Sequence, residues 1–495
     1  MTNRPYRVRF APSPTGHLHL GSARTALYDY LIAKKTGGQF ILRIEDTDTK
    51  RYVEGAEEEF FQCLKWLGIQ WDEGPDIGGP YGPYRQSERK DIYQKYADQL
   101  VDEGKAYYCF CTPERLAQVR KDQETRKETY HYDGFCRDIP LEEARQRAAN
   151  GESHVIRFKT PREGHTTVRD IIRGEITVEN KNLDDYILVK SDGWALYHLA
   201  ATVDDHLMKI THVIRGSEWL PTFPLHSLIH RAFGWQEPEW VHLSVFLKPS
   251  GKGKMSKREA SDALKDGHSI FIKDLEDLGY LPEAIVNWIA LMGWSYDDRT
   301  EFFNMPDLID DFSLEHLNPS PAAINFQKFD YFNGLHIRSL SDAELAKRML
   351  PFLVKGGYQP DLKTLEQIAP IIKERMVTLD EVTDWTGFFF ENIQAPVDDL
   401  VGKNMSCEES LSVLKKAEEI LAQQEPFTLV GCEEAMRAYV ETSGFSAGQV
   451  FGILRVAVTG KKVSPPLFES MMILGRETTL NRIISAVNSL SHKCA

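Results

Sequence analysis

Two rhythms of polar and apolar positions run along this chain. Arg7-Val8-Arg9-Phe10 reads as a short strand. A loop punctuated by proline and glycine follows, from Ala11 to Gly16. Ala23, Ala26, Leu27, Tyr30 and Leu31 then recur at helical spacing, and Ser22, a good N-cap type, is expected to open that helix. Gly37-Gly38 stops it, and Phe40 to Ile44 is the next strand. A strand, loop, helix and strand of this length predict a βαβ unit and a parallel sheet. From Tyr107 to Val189 the pattern changes to a charged helix near Pro113 to Lys127 and short β-like runs such as Ser153 to Phe158. Apolar strands and helices resume from Tyr186 to Phe246, and beyond Phe326 almost every segment is helical in period. Residues 342–353, 407–423, 433–442 and 447–458 are examples.

The fold class expected is therefore α/β. A parallel-sheet domain is split into 1–106 and 189–246 by an α+β insertion at 107–188. A connecting domain at 247–328 and two all-α parts at 329–390 and 391–495 follow. A length of 495 residues agrees, since a domain averages roughly 150. Hydrophobic residues at 42% and charged residues at 27% exclude a collagen, a coiled-coil rod and a disordered tail. No apolar run is long enough for a transmembrane helix, and the first residues lack an apolar signal core, so the compartment expected is the cytoplasm.

Charge refines this picture. A net charge of -14 argues against wholesale polyanion binding but leaves room for a local basic surface. Residues 391–445 carry 11 acidic against 4 basic side chains, and residues 446–495 carry 2 against 6, so basic character gathers at the C-terminal end. There Arg455, Lys461, Lys462, Arg476 and Arg482 surround Val463 to Phe468. Cations there would hold a phosphate backbone and Phe468 an unstacked base; the alternative is a solvated helix face with Phe468 in the core.

Two constellations carry phosphate chemistry. His19-Leu20-Gly21-Ser22 sits at a helix mouth, where backbone N–H groups and the dipole favour anions. Gly251-Lys252-Gly253 and Lys254-Met255-Ser256-Lys257-Arg258 place four cations and two glycines in eight residues. Such a loop can close on a polyphosphate. No P-loop sequence is present.

Together these two blocks resemble the paired signatures of class I aminoacyl-tRNA synthetases. Ala11 to Gly16 and Arg43-Ile44-Glu45-Asp46-Thr47-Asp48 narrow the resemblance to bacterial-type glutamyl-tRNA synthetases. Tyr197-His198-Leu199, Val203 to His206 and Val213 to Gly216 fit the same family, and the likeness spans nearly the whole chain. It implies a Rossmann-type catalytic domain, an acceptor-stem-binding insertion, a stem-contact domain and helical anticodon-binding domains. The activity implied is activation of L-glutamate with ATP and transfer to the terminal adenosine of tRNA(Glu), with Mg²⁺ accompanying ATP. A monomer is implied, with no membrane partner.

By the same resemblance His19, Gly21 and Ser22 hold ATP. Lys257, aided by Lys254 and Arg258, stabilises charge as pyrophosphate leaves. Arg9, Tyr197 and Arg215 read the substrate carboxylates, and Glu45 and Ser13 take the α-ammonium group. For Arg9 and Arg215 the alternative is an ordinary ion pair. His17, Asp204 and Asp205 are read as structural. Arg455, Ser464, Pro465 and Phe468 correspond to a segment that contacts the anticodon. Trp219 either supports the terminal adenosine or belongs to the core. Ser22 replaces the second imidazole of the signature, and Ala201 stands where relatives carry a polar residue.

Seven cysteines in this length do not make a disulfide scaffold. Cys109, Cys111 and Cys136 cluster, and thiolates are good Zn²⁺ ligands. The resemblance offers Tyr132 as fourth ligand, with His131 and Asp138 as rivals on general grounds. Three reduced cysteines without metal are the alternative. Cys63, Cys407, Cys432 and Cys494 are scattered and read as structural.

The competing readings are a glutaminyl-tRNA synthetase, the short paralogue that glutamylates a tRNA base, a small-molecule nucleotidyltransferase and an idle tRNA-binding protein. The helical C-terminal half and the intact His19, Glu45, Arg215 and Lys257 argue against them. Charging of tRNA(Gln) as well stays open.

Overall fold

A computed structural model describes residues 5–48, 50–253, 259 and 263–495. Strand β1 (Arg7–Phe10) and strand β2 (Gln39–Leu42) run parallel, with Arg9 opposite Ile41, and are joined by helix α1 (Leu20–Lys35). All four residues of β1 are buried, as expected of a parallel strand covered on both faces. That burial forces its arginines into pairs. Arg7 makes a two-point bond to Glu73 at 2.6 and 2.7 Å, and Arg9 pairs with Asp205.

Helix α1 departs from expectation at its start. It begins at Leu20 rather than Ser22, and His19 is the N-cap, its Nδ1 accepting the Ser22 N–H at 3.2 Å. The Leu20 N–H is held by the Ile270 carbonyl at 2.8 Å, which brings the helix forward by a few residues.

A second sheet has the order β6–β5–β9–β8: β5 (His165–Asp170), β6 (Gly174–Glu179), β8 (His212–Gly216) and β9 (Glu239–Leu243). Strands β8 and β9 are parallel and place Arg215 opposite His242. Strand β5 also runs parallel to β9, meeting it at Asp170 and Trp240. The segment 107–188 therefore contributes two strands to this sheet. It also supplies a separate antiparallel sheet of β3 (Ala106–Cys109), β4 (Val155–Phe158) and β7 (Ile187–Val189). Helices α2 (Ala56–Trp66), α3 (Lys90–Asp102), α4 (Pro113–Thr125) and α5 (Leu141–Ala149) precede helix α6 (Tyr197–Leu207) and helix α7 (Phe223–Ala232), and the last two pack apolar faces around Leu199, Val203, Leu225 and Ile229.

The chain divides into two units, 1–275 with 285–326, and 276–284 with 327–495. The second unit is helical. One of its cores gathers Leu345, Met349, Leu365 and Ile368, and another gathers Leu414, Leu454, Phe468 and Ile483. The helices 342–355, 407–422, 429–443 and 447–459 occupy the positions that periodicity predicts. Cys407 and Cys494, which the sequence offers only as scattered structural cysteines, form a disulfide with Cα atoms 5.6 Å apart. A separation of 87 residues hides such a pair from any local pattern. Among the described residues no helix is long and apolar enough to cross a membrane.

Candidate active site

Arg215 lies on β8, a buried strand, and is 5% exposed. Its Nε donates to His242 Nε2 at 3.0 Å, and its Nη1 reaches Tyr197 Oη at 3.2 Å and His226 Nε2 at 3.4 Å. Nη2 has no hydrogen-bond partner among the described residues. Arg215 also has no carboxylate partner there, so this buried guanidinium keeps its charge and an open donor. Tyr197 begins helix α6 and stacks on Trp219 with ring centroids 4.0 Å apart. Trp219 thus packs against the site wall. Burial pushes the Tyr197 phenol up, so it stays protonated and can donate.

Arg9 is arranged differently. Its Nε donates to Asp205 Oδ1 at 2.9 Å, and Nη1 reaches the Ile214 carbonyl at 3.3 Å. The same Asp205 oxygen accepts from Arg43 Nη1 at 2.7 Å, and Arg43 Nη2 donates to Glu45 Oε1 at 3.0 Å. Arg9, Arg43, Asp205 and Glu45 form one buried alternating chain of charge. Burial pushes Glu45 above the usual carboxylate range despite Arg43 and Arg9. An arriving ammonium would relieve that. Ser13 is exposed in the loop after β1, and the Glu45 N–H is tied to the Pro12 carbonyl at 3.0 Å. The resemblance gives Arg43 no role of its own. Its two-residue spacing from Glu45, just beyond β2, is the signal that points to it.

Asp204 is fully buried and accepts from Arg89 at 2.7 Å, Gln86 at 2.9 Å and Tyr93 at 2.8 Å. His17 meets Glu59 at 2.7 Å, and Ala201 is buried on α6.

At the mouth of α1, the His19 ring lies over Gly21, where an added Cβ would stand 3.1 Å from it. Ser22 Oγ is 3.1 Å from His19 Nε2. Since Nδ1 accepts, Nε2 carries the proton and donates to Ser22, which leaves the hydroxyl proton for a ligand. Phe271 forms an antiparallel bridge with His19, and Ile272 N donates to the Leu18 carbonyl at 2.9 Å. Upstream, Gly251 and Gly253 adopt left-handed φ of 73° and 77° in a turn closed onto Lys248. Lys254, Lys257 and Arg258 lie outside the described residues.

The thiols of Cys109, Cys111 and Cys136 lie within 4.8 Å of one another. Tyr132 Oη is 3.3 Å from Cys109 and 3.4 Å from Cys111, and Cys111 and Cys136 are 3.6 Å apart. Tetrahedral zinc with ~2.3 Å bonds sets sulfurs about 3.8 Å apart, so these donors fit. Asp138 instead points to Lys159 and is almost fully exposed.

In the helical unit, Arg455 Nη1 donates to Ser464 Oγ at 2.7 Å and to the Pro465 carbonyl at 2.9 Å. Phe468 is buried with its ring against Phe451, so the core reading describes it and no base face is open in this conformation. Arg476 and Arg482 donate to the carbonyls of Ala422 and Val458, each at the end of a helix. Those carbonyls lack partners within their own helices and attract cations, so each arginine anchors a helix end, Arg482 half-buried and Arg476 exposed.

Comparison with known proteins gives two family matches. Residues 5–331 match the catalytic domain of class I tRNA synthetases for glutamate and glutamine, and residues 344–487 match an anticodon binding domain. A glutamate–tRNA ligase of Chloroflexus aurantiacus is 46% identical over 99% of this chain and 98% of its own length. One from Dehalococcoides mccartyi is 45% identical over 99% of both. The crystal structure of a glutamate tRNA ligase from Elizabethkingia meningosepticum, in complex with its amino acid, superposes with a TM-score of 0.90 at 38% identity. It covers 98% of this chain and 100% of that chain.

Proposed function

The chain belongs to the class I tRNA synthetase family and carries the activity of its full-length relatives, the glutamate–tRNA ligases; from that premise we propose how its residues perform the reaction. The observation that carries the proposal is the buried Arg215, which among the described residues has an open Nη2 and no carboxylate partner. A substrate carboxylate is the anion that completes it. Glutamine would place an amide there and leave donors facing donors, a mismatch worth on the order of 10⁴ in discrimination.

Arg215, Tyr197 and Arg9 take the substrate's carboxylate charge, Arg9 with its Nε held by Asp205. Glu45 takes the α-ammonium group, and Ser13 flanks it. The α-carboxylate then attacks the α-phosphorus of ATP, the α–β bridging bond breaks, and pyrophosphate leaves. The nucleophile belongs to the substrate, so the protein contributes orientation and charge stabilisation. His19, Gly21 and Ser22 cradle ATP at the positive end of α1. Lys254, Lys257 and Arg258 balance the charge of the departing pyrophosphate, and Mg²⁺ accompanies ATP. A ribose hydroxyl of the 3′-terminal adenosine of tRNA(Glu) then attacks the adenylate carbonyl, and AMP departs.

The insertion receives the acceptor end, and Cys109, Cys111, Cys136 and Tyr132 would hold a structural Zn²⁺ that braces it. The segment 247–328 contacts the stem. Arg455, Ser464, Pro465 and Phe468 shape the anticodon-facing segment, Arg455 by holding Ser464 and the Pro465 carbonyl just ahead of Phe468. The protein acts as a monomer in the cytoplasm. The test is aminoacylation with labelled glutamate on purified tRNA(Glu) and tRNA(Gln) separately. Charging of tRNA(Glu) is expected, charging of both would make the enzyme non-discriminating, and charging of neither would overturn the reading.

A further inference from the structure

Arg9 and Arg215 are both buried arginines at the same site, but their surroundings differ in kind. Arg9 is paired with the carboxylate of Asp205, while Arg215 is surrounded by imidazoles. The parallel register of β8 and β9 sets His242 directly opposite Arg215, within side-chain reach. On its other side His242 Nδ1 is 2.8 Å from Asp170 Oδ2, and both side chains are fully buried.

Asp170 is tightly fixed. Oδ2 also accepts the His242 N–H at 2.9 Å, and Oδ1 accepts the N–H groups of Ile172 at 3.0 Å and Arg173 at 2.9 Å. A carboxylate so placed only accepts, so His242 Nδ1 carries the proton and Nε2 is an acceptor. The Arg215 Nε–H takes that acceptor at 3.0 Å. His226 is locked in the same sense. His198 Nδ1 is 3.1 Å from His226 Nε2, and His226 Nδ1 is 3.3 Å from Thr202 Oγ1, whose own proton goes to the His198 carbonyl at 2.7 Å. Burial brings His242 down to about 4 against the opposing pull of Asp170, and holds His226 well below the usual imidazole range.

We propose that His242, oriented by Asp170, is a positioning residue for substrate selection: it fixes the Arg215 fork through a neutral acceptor, so that Nη2 points to the substrate carboxylate with its charge uncompensated. The inference rests on the assignment of Arg215 to the substrate. A carboxylate in place of His242 would hold the guanidinium equally well but would spend its charge internally, as Asp205 does with Arg9. A neutral acceptor achieves the aim without that loss.

The test uses the full-length enzyme and tRNA-dependent pyrophosphate exchange. His242→Leu removes the acceptor, and losing one buried hydrogen bond to a charged group predicts a rise of about 10-fold or more in KM for glutamate. KM for ATP is expected to stay within about twofold, because ATP binds at α1. His242→Gln retains an acceptor and should restore KM for glutamate to within about threefold of the parent. Equal KM values for glutamate in the parent and His242→Leu, or no rescue by glutamine, would overturn the proposal. Arg215→Lys separates the two levels. If it leaves KM for glutamate unchanged, the substrate assignment of Arg215 fails; if it raises KM while His242→Leu does not, only the positioning role fails. Should the leucine variant not fold, nitrogen-15 NMR of the parent decides. A neutral Nδ1–H imidazole at His242 at neutral pH is expected, and an imidazolium or the opposite tautomer overturns the proposal.

Discussion

Arg9 Nε donates to Asp205 Oδ1 at 2.9 Å and ties strand β1 to helix α6 beneath the site. Arg43 shares that oxygen at 2.7 Å. Removing the charge leaves two guanidinium groups buried with less compensation, which costs about 3 kcal/mol or more. Asp205→Asn is expected to lose that much stability in urea denaturation. A loss below about 1 kcal/mol would mean the pair contributes little to the fold.

The same carboxylate sets an acid limb. Burial alone raises it, but Arg9 and Arg43 outweigh burial and bring it to about 2, from an ordinary 3.8. An acid whose folded value is depressed adds stability above its unfolded value and loses it as pH falls through the folded one. The window is therefore about pH 4 down to 2, and the contribution about 2 kcal/mol. Urea midpoints measured across that range should fall for the parent and flatten in Asp205→Asn. Parallel curves would refute the link.

Gly21→Ala sets stability against activity. Alanine favours the helix by roughly 0.5–1 kcal/mol, while its Cβ presses on the His19 ring. His19 is exposed, but moving its ring gives up the N-cap bond to the Ser22 N–H, which offsets part of that gain. Stability should stay level or rise slightly, and pyrophosphate exchange should fall about 10-fold through misplaced ATP contacts. Unchanged exchange would remove the close approach at Gly21 from the mechanism.

The cysteine site predicts stoichiometric zinc in the purified protein by elemental analysis. Cys136→Ser should lose the metal and lower the melting temperature, and Asp138→Ala should do neither. Stable, active, metal-free protein would defeat the zinc assignment. Retention of zinc in Tyr132→Phe would exclude the phenol as a required ligand.

The Cys407–Cys494 bond closes the two ends of a helical core, and the other five cysteines are outside any disulfide. Protein purified without reductant should show five titratable thiols when denatured, and all seven after reduction. Reduction lengthens the accessible unfolded chain and should lower the urea midpoint. Seven thiols before reduction would show that the pair stays reduced in the isolated protein.

What was legible in the sequence was local or contiguous. The β1–α1–β2 unit, the helices of the C-terminal half and the blocks at His19 and Cys109 could be read because strand and helix periods repeat within a few residues. The likeness to synthetases came from short blocks whose chemistry depends on immediate neighbours. Tertiary structure decided which long-range partners each charged group has. Arg9 and Arg215 look alike in sequence, yet one is paired with Asp205, 196 residues away, and the other faces His242 across a strand register. Phe468 reads equally well from sequence as an open ring or a core residue, and only packing against Phe451 buries it. Sequence specifies the groups and their local spacing. Burial determines whether a charge must find a partner, and only the assembled sheet and helices determine which partner is within reach.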